Sequence, residues 1–366
     1  MHVLVVNNIY PPIMAGGAEL IVSYLSEGLA AAGQRVSVVS TCGREMEPYP
    51  PEQRGGVEVF RFFPPNFYWS FSRDRNPGLK KALWHMRDAW NRQAGVKFRA
   101  LLQKLRPDIL HTHVIDGLSA TIWDEARRMG IPVIHTAHDY HLLCPRAFLL
   151  TRDWKLCTQP AMACRLYRSW HLDTARQVDL FTSPSRFLLQ KHDEAGMRAE
   201  NRAVVHNGIP LPLDMSEVRQ RRAPQSRKRF LMLTRLTVEK GVQVVLEAVR
   251  RLPADLDVEV AIAGKGLLEE EVMAAARQDP RISYLGYLAG PRQRLALGRT
   301  GFLFPPGDAA ALAGLMARVA RDADIQPSLA PHSLALAQRF AAERMVENYQ
   351  AHYETLLDRR AALAAQ

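Results

Sequence analysis

Arg235 and Lys240 follow the apolar run Leu231-Met-Leu-Thr234, and Lys240-Gly241 opens a stretch of helical period. The carboxyl end of a parallel strand leaves a crevice in an open α/β sheet, and a helix starting there turns its unpaired N–H groups and positive dipole into it. Two cations and a helix start at one spot suit an anion, a diphosphate best of all. Taken alone, the pair reads equally as a surface arginine and a helix-start lysine that touch only water.

Other polar clusters hold comparable places. Ala15-Gly16-Gly17-Ala18-Glu19 follows the first apolar run. Paired glycines let the backbone approach a phosphate or sugar, and Glu19 lies in a first helical turn, where the dipole favours an anion. The spacing is not G-x-G-x-x-G, so a nicotinamide or flavin fingerprint is unsupported. His135-Thr-Ala-His138-Asp139-Tyr-His141 ends another strand. His138 with Asp139 is the pair best placed to orient a hydroxyl, although three histidines in one loop also suit a plain surface. Ser185 can cap the helix after it and Asn207-Gly208 makes a turn, with a structural role the simpler reading of both. The turn Gly264-Lys265-Gly266 would extend the anion pocket. His141, Cys144, Cys157 and Cys164 follow H-x2-C-x12-C-x6-C. These four donors could hold a structural zinc, against the simpler reading of reduced, unpaired thiols.

The elements that must position these residues alternate. Strands at 2 to 7, 35 to 40, 57 to 62, 108 to 112, 132 to 136, 179 to 182 and 203 to 206 are separated by helical stretches, which predicts a mostly parallel sheet covered on both faces. Residues 211 to 229, with Pro212, Pro224 and runs of arginine, break the pattern and read as a linker. Alternation restarts with strands at 229 to 234, 257 to 263 and 281 to 285, and from about Asp308 the chain is nearly all helix. Two doubly wound domains with a helical tail, facing a cleft, are the expectation for 366 residues.

Charge is concentrated. The formal net charge is +11, yet between Arg73 and Arg106 ten basic residues face only Asp74 and Asp88. Leu79, Leu83, Met86, Trp90, Ala94, Phe98, Leu101 and Leu105 recur there at steps of three or four, so 78 to 106 reads as one long amphipathic helix with a basic outer face. With the aromatic cluster of 66 to 71 before it, the segment 66 to 106 suits an anionic membrane surface as well as it suits a solvated helix face. No finger spacing, RNP-like string or helix-turn-helix places base contacts, so nucleic acid is not an expected partner. The absence of a long apolar stretch and the four scattered cysteines lead to an expectation of a cytoplasmic protein, peripheral at most on the inner face of the membrane.

Gly16-Gly17-Ala18-Glu19, His138-Asp139, Ser183 to Arg186, His206-Asn207-Gly208, Arg235 with Glu239-Lys240-Gly241, Gly264-Lys265-Gly266, Leu285-Gly286-Tyr287 and Phe304-Pro-Pro-Gly-Asp308 come in the order seen in retaining glycosyltransferases of family 4. The chain resembles that family over nearly its whole length. The resemblance implies a GT-B fold: an acceptor-binding Rossmann-like domain (1–210), a linker (211–228), a nucleotide-sugar domain (229–340), and a C-terminal helix (341–366) that packs back on the first domain. It implies transfer of a hexosyl group from a UDP- or GDP-sugar to a hydroxyl of a lipid, polysaccharide or small molecule. His138, Arg235 and Lys240 would be catalytic, and Gly16, Gly17, Asn207, Gly208, Gly264 and Gly266 would join the two cations in holding the donor. Asp139 and Ser185 would face the acceptor. No metal or cofactor beyond the nucleotide sugar, itself a co-substrate, is implied.

The resemblance fails between 286 and 301, where the family carries an acidic E-x7-E segment. Here no Asp or Glu lies between Arg281 and Gly307. The second domain is therefore expected to be shortened, its donor pocket to lack one wall, and its activity to be reduced. The alternative is a catalytically silent GT-B module that binds nucleotide or docks on a membrane or partner.

Overall fold

The computed structural model describes residues 1–46, 49–72, 78–151, 153–211, 227–287 and 302–364. Most of the expected linker and of the stretch between 286 and 301 lies outside them. The chain divides into two units, Met1–Ile209 with Ala342–Gln366, and Pro210–Ala341.

The first unit runs through β1 (His2–Val6), α1 (Ala18–Ala31), β2 (Arg35–Thr41), β3 (Glu52–Arg54), β4 (Val57–Phe62), α2 (Leu79–Ala89) and α3 (Arg92–Leu105). It continues with β5 (Ile109–Thr112), α4 (Thr121–Arg128), β6 (Val133–Thr136), α5 (Met162–Thr174), β7 (Leu180–Ser183), α6 (Arg186–Glu194) and β8 (Asn201–Val204). The sheet order is β3-β4-β2-β1-β5-β6-β7-β8. Pairing is parallel except for β3 against β4. Side chains alternate across a strand, and both faces here are covered. Leu4 and Val6 of β1 enter one core with Phe98, Trp123 and Phe181, while Val3 and Val5 enter the other with Leu25 and Leu29.

The second unit holds β9 (Lys228–Leu233), α7 (Val242–Arg251), β10 (Val258–Ala263), α8 (Glu269–Gln278), β11 (Ile282–Tyr284), α9 (Ala309–Arg321) and α10 (Ile325–Arg339). Among its described residues the sheet is parallel, in the order β11-β10-β9. Leu246 and Val249 of α7 pack on Val258, Val260 and Ile262.

The last helix, α11 (Ala342–Ala364), returns to the first unit. It places Tyr349 and Tyr353 in the core with Val22, Leu25 and Leu29. The two hydroxyls enter a buried polar chain. Tyr353 Oη is 2.7 Å from His111 Nδ1, His111 Nε2 is 2.7 Å from Thr136 Oγ1, and Tyr349 Oη is 2.9 Å from Thr136 Oγ1 and 3.2 Å from Thr182 Oγ1. Such groups are stable in a core only when each finds a partner. The join is closed by the Ala342 N–H, which donates to the Ile209 carbonyl at 2.9 Å.

The basic segment departs from the sequence reading in two ways. It is two helices, because Asn91 turns the chain and caps α3, its side chain accepting from the N–H groups of Gln93 (3.1 Å) and Ala94 (3.3 Å). On α2 the apolar stripe faces outward: Leu79, Leu83 and Met86 are 76%, 43% and 72% exposed, while Trp84 and Asp88 are buried. The aromatic cluster is also divided. Trp69 joins Ile9 and Phe63 and donates from Nε1 to Thr41 Oγ1 at 2.9 Å, whereas Phe67 is exposed beneath the Arg87 guanidinium.

Candidate functional site

In the second unit, the loop after β9 carries Arg235 and Lys240. Lys240 stands in a single 3-10 turn, Val238–Lys240, and α7 begins two residues later than expected, after Gly241 at φ 71°. The start of α7 has no side-chain cap, so its first N–H groups remain available to an anion. Both cations are exposed. Glu239 steadies the arginine, with Oε1 3.8 Å from Arg235 Nη2, and itself accepts from Thr237 Oγ1 at 2.6 Å.

Gly264 and Gly266 serve this loop by backbone approach. A Cβ on Gly264 would stand 1.8 Å from the Thr234 carbonyl oxygen, and one on Gly266 2.4 Å from that of Leu236. No side chain fits there. The Leu236 N–H donates to Lys265 O at 2.9 Å and the Leu268 N–H to Leu236 O at 2.9 Å. The two glycines thus hold the turn after β10 against the turn that carries Arg235.

In the first unit, Gly17 precedes α1, and Glu19 reaches back to accept from the N–H groups of Ala15 and Gly16. The buried carboxylate orders the glycine turn and takes up the Gly16 donor itself. Ser185 caps α6, accepting from the Leu188 N–H at 3.1 Å. Gly208 donates its N–H to the Met345 sulfur at 3.2 Å, and neighbouring Asn207 is half-buried.

His138 has a partner that the sequence reading missed. Its Nε2 lies 2.9 Å from Nδ1 of His113, with the rings stacked 5.2 Å apart. Burial lowers the His138 ring to about 4, and burial together with the neighbouring rings holds His113 well below the ordinary imidazole range. Both rings are therefore neutral at pH 7, able to direct a hydrogen bond but not to supply a proton as an imidazolium. Asp139 is used locally, its Oδ1 accepting from the His141 N–H at 2.8 Å, and burial raises its carboxyl. A small cavity lined by His113, Ile115, His138, Asp139 and His141 opens beside these groups.

The zinc arrangement drawn from spacing does not form. Among the described residues, the metal-ligand set whose atoms converge within 4.8 Å is Asp88, Asp116 and His141, without any thiol. Cys144, Cys157 and Cys164 are free and half-buried, and burial raises the Cys164 thiol. No helix of the described residues is long and apolar enough to cross a membrane.

A glycosyl transferase 4-like domain matches residues 16–208, more than half of the chain. The chain belongs to the glycosyl transferase 4-like family. A relative described as a 42.6 kDa protein in the cps region of Klebsiella pneumoniae is 30% identical over 244 residues, which span 66% of this chain and 63% of that protein. Among solved structures, sucrose-phosphate synthase from Thermosynechococcus elongatus is 15% identical with a TM-score of 0.70, covering 98% of this chain and 99% of its own. Anabaena HepE in complex with UDP-glucose is 17% identical with a TM-score of 0.64, covering 97% of this chain and 100% of its own. These likenesses establish the GT-B fold of this glycosyl transferase 4-like chain.

Proposed function

We propose that this member of the glycosyl transferase 4-like family is a retaining glycosyltransferase, moving a hexosyl group from a UDP- or GDP-sugar to a hydroxyl of a glycolipid, glycan or small molecule. The observation that carries the reading is the turn after β9, where Arg235, Lys240 and the side-chain-uncapped start of α7 gather positive potential on a strand end. A diphosphate leaving group held by two cations and a helix dipole needs no metal at that place. Gly16, Gly17, Asn207, Gly208, Gly264 and Gly266 would frame the donor by close backbone approach or by holding its loops. His138, kept neutral by burial and oriented by His113, would direct its remaining nitrogen to a sugar or acceptor hydroxyl, with Asp139 and Ser185 shaping the acceptor side. The Anabaena HepE structure, a complex with UDP-glucose, supports the donor class. The description of the Klebsiella relative as a protein of the cps region supports a place in cell-envelope polysaccharide synthesis.

The sequence has no Asp or Glu between Arg281 and Gly307, so the proposal includes reduced turnover relative to nucleotide binding. Calorimetry with UDP and GDP, followed by hydrolysis of UDP- and GDP-sugars, tests it. Binding weakened at least ~10-fold by Arg235→Ala or Lys240→Ala is expected, since a charge-assisted hydrogen bond contributes about 1.5–3 kcal/mol. Absence of binding to either nucleotide refutes the donor site. The outward ridge of Leu79, Leu83 and Met86, flanked by Lys80, Lys81 and Arg87, favours a second reading as a docking module. That reading predicts binding to anionic liposomes that survives Arg235→Ala in a protein without transfer.

A further inference from the structure

Asp88, Asp116 and His141 are distant in sequence and come from three elements: α2, the loop after β5 and the loop after β6. Their ligand atoms lie within 4.8 Å of one another. Two carboxylates so close in a place with little water repel each other unless a proton or a cation stands between them. The Asp88 side chain is the telling one. The residue is 4% exposed, its Oδ2 accepts from the Gly117 N–H at 3.1 Å, the Asn66 amide lies close enough to favour its charged form, and its buried Oδ1 has no partner at hydrogen-bond geometry. An orphaned carboxylate oxygen in a core is costly, and cores rarely keep one without a purpose.

The surroundings add donors of the matching kind. His85 stands one helical turn before Asp88 on α2, so the two side chains share a face. Both of its ring nitrogens are buried without partners. The His85 ring meets the Tyr167 ring edge-on at 6.3 Å, and the His141 ring meets the same tyrosine at 6.2 Å. The His141 loop is fixed by Asp139, which accepts its N–H, and by the Tyr167 hydroxyl, which donates to its carbonyl at 3.0 Å and lies 3.5 Å from its ring Nε2. The backbone is therefore held while side chains converge.

We propose that Asp88, Asp116 and His141, with His85 as the fourth donor, form a divalent-metal site that takes zinc. Imidazole and carboxylate donors in this number suit that ion, whereas magnesium and calcium prefer oxygen alone. Ligand atoms around a tetrahedral zinc lie about 3.3 Å apart, so Asp88, Asp116 and His141 would draw together from within 4.8 Å, and His85, which lies outside that converging set, would have to turn further to join them. The bound ion would tie α2, with its exposed ridge, to the two strand-end loops, one of which carries His138. The site belongs to the first unit, the diphosphate turn to the second, and the proposal does not depend on the reading of that turn.

The test uses the full-length protein. Chelator-stripped protein is titrated with zinc chloride against a chromophoric competitor, with magnesium as the control ion, and metal content is measured by mass spectrometry after purification. One equivalent of zinc is expected. Asp116→Asn and His141→Gln, both at half-buried positions, should each weaken it by at least the ~100-fold that loss of an outer-shell partner can cost. The combined Cys144→Ser, Cys157→Ser, Cys164→Ser variant should bind as the parent does. Far-ultraviolet circular dichroism of each variant checks the fold, and the parent measurement stands whatever a variant does. Absence of stoichiometric zinc in the parent overturns the proposal, as does zinc that is lost with the cysteines but kept in Asp116→Asn or His141→Gln.

Discussion

The polar chain under α11 makes a prediction that can be worked in numbers. Tyr353→Phe removes the hydroxyl 2.7 Å from His111 Nδ1 and changes nothing else in a site where both residues are fully buried. A buried group stripped of its partner costs about 1–3 kcal/mol. The imidazole adds a dependence on pH. Burial lowers the His111 ring to about 3, whereas an unfolded histidine titrates near 6.5. Below about pH 6.5 the unfolded chain takes up a proton that the folded chain refuses. Stability therefore falls with falling pH by about 1.4 kcal/mol per unit until the folded ring itself titrates. From about pH 7.5 to about pH 5 this ring alone should remove about 2 kcal/mol, a large share of ordinary domain stability. Urea unfolding followed by tryptophan fluorescence is the assay, since Trp69, Trp84, Trp90, Trp123, Trp154 and Trp170 all lie in the first unit. His111→Asn should lose about 2 kcal/mol less than the parent over that pH interval. An equal loss in both proteins, or a Tyr353→Phe variant as stable as the parent at neutral pH, would refute the account of a neutral ring held by its partners.

Two further outcomes follow from backbone geometry. Gly264→Ala would force a Cβ to 1.8 Å from the Thr234 carbonyl, so it should destabilise the second unit by about 3 kcal/mol. Hydrogen exchange across 228–287 should rise while tryptophan fluorescence stays unchanged; normal protection there would mean the loop has slack. Asn91→Ala removes the cap of α3, at an expected cost of about 1–2 kcal/mol in urea unfolding, and a loss below a few tenths would show that the turn is set elsewhere.

Much of the fold was legible because apolar period and strand ends coincide. The apolar runs Val3 to Val6, Val133-Ile134 and Phe230 to Leu233 precede the turns that carry Gly16, His138 and Arg235, and the structure puts strands there. What was missed lacked a local signal or had a misleading one. Glu52-Gln53-Arg54 has no apolar period, yet it forms edge strand β3 because β4 offers free ladder groups. The apolar step continued through Trp90, which hid the helix break; Asn91, a good capping residue, was the available clue. His113 belonged to the pair His111-Thr-His113 at a strand end, but only the fold brings it to His138. Asp88 and Asp116 sit in unrelated stretches, and no spacing rule joins carboxylates that meet through tertiary packing.

The hydrogen bond between Ala342 and Ile209 places side by side the points where the chain leaves the first unit and comes back. The second unit is in effect a long insertion in one domain, whose sequence is interrupted while its core is not. During synthesis, residues 1–209 emerge with the Tyr349 and Tyr353 places in their core unfilled, and these wait for a segment made after the whole insertion. The first domain to be translated is thus the last to be completed, and any premature stop within the insertion leaves that core open.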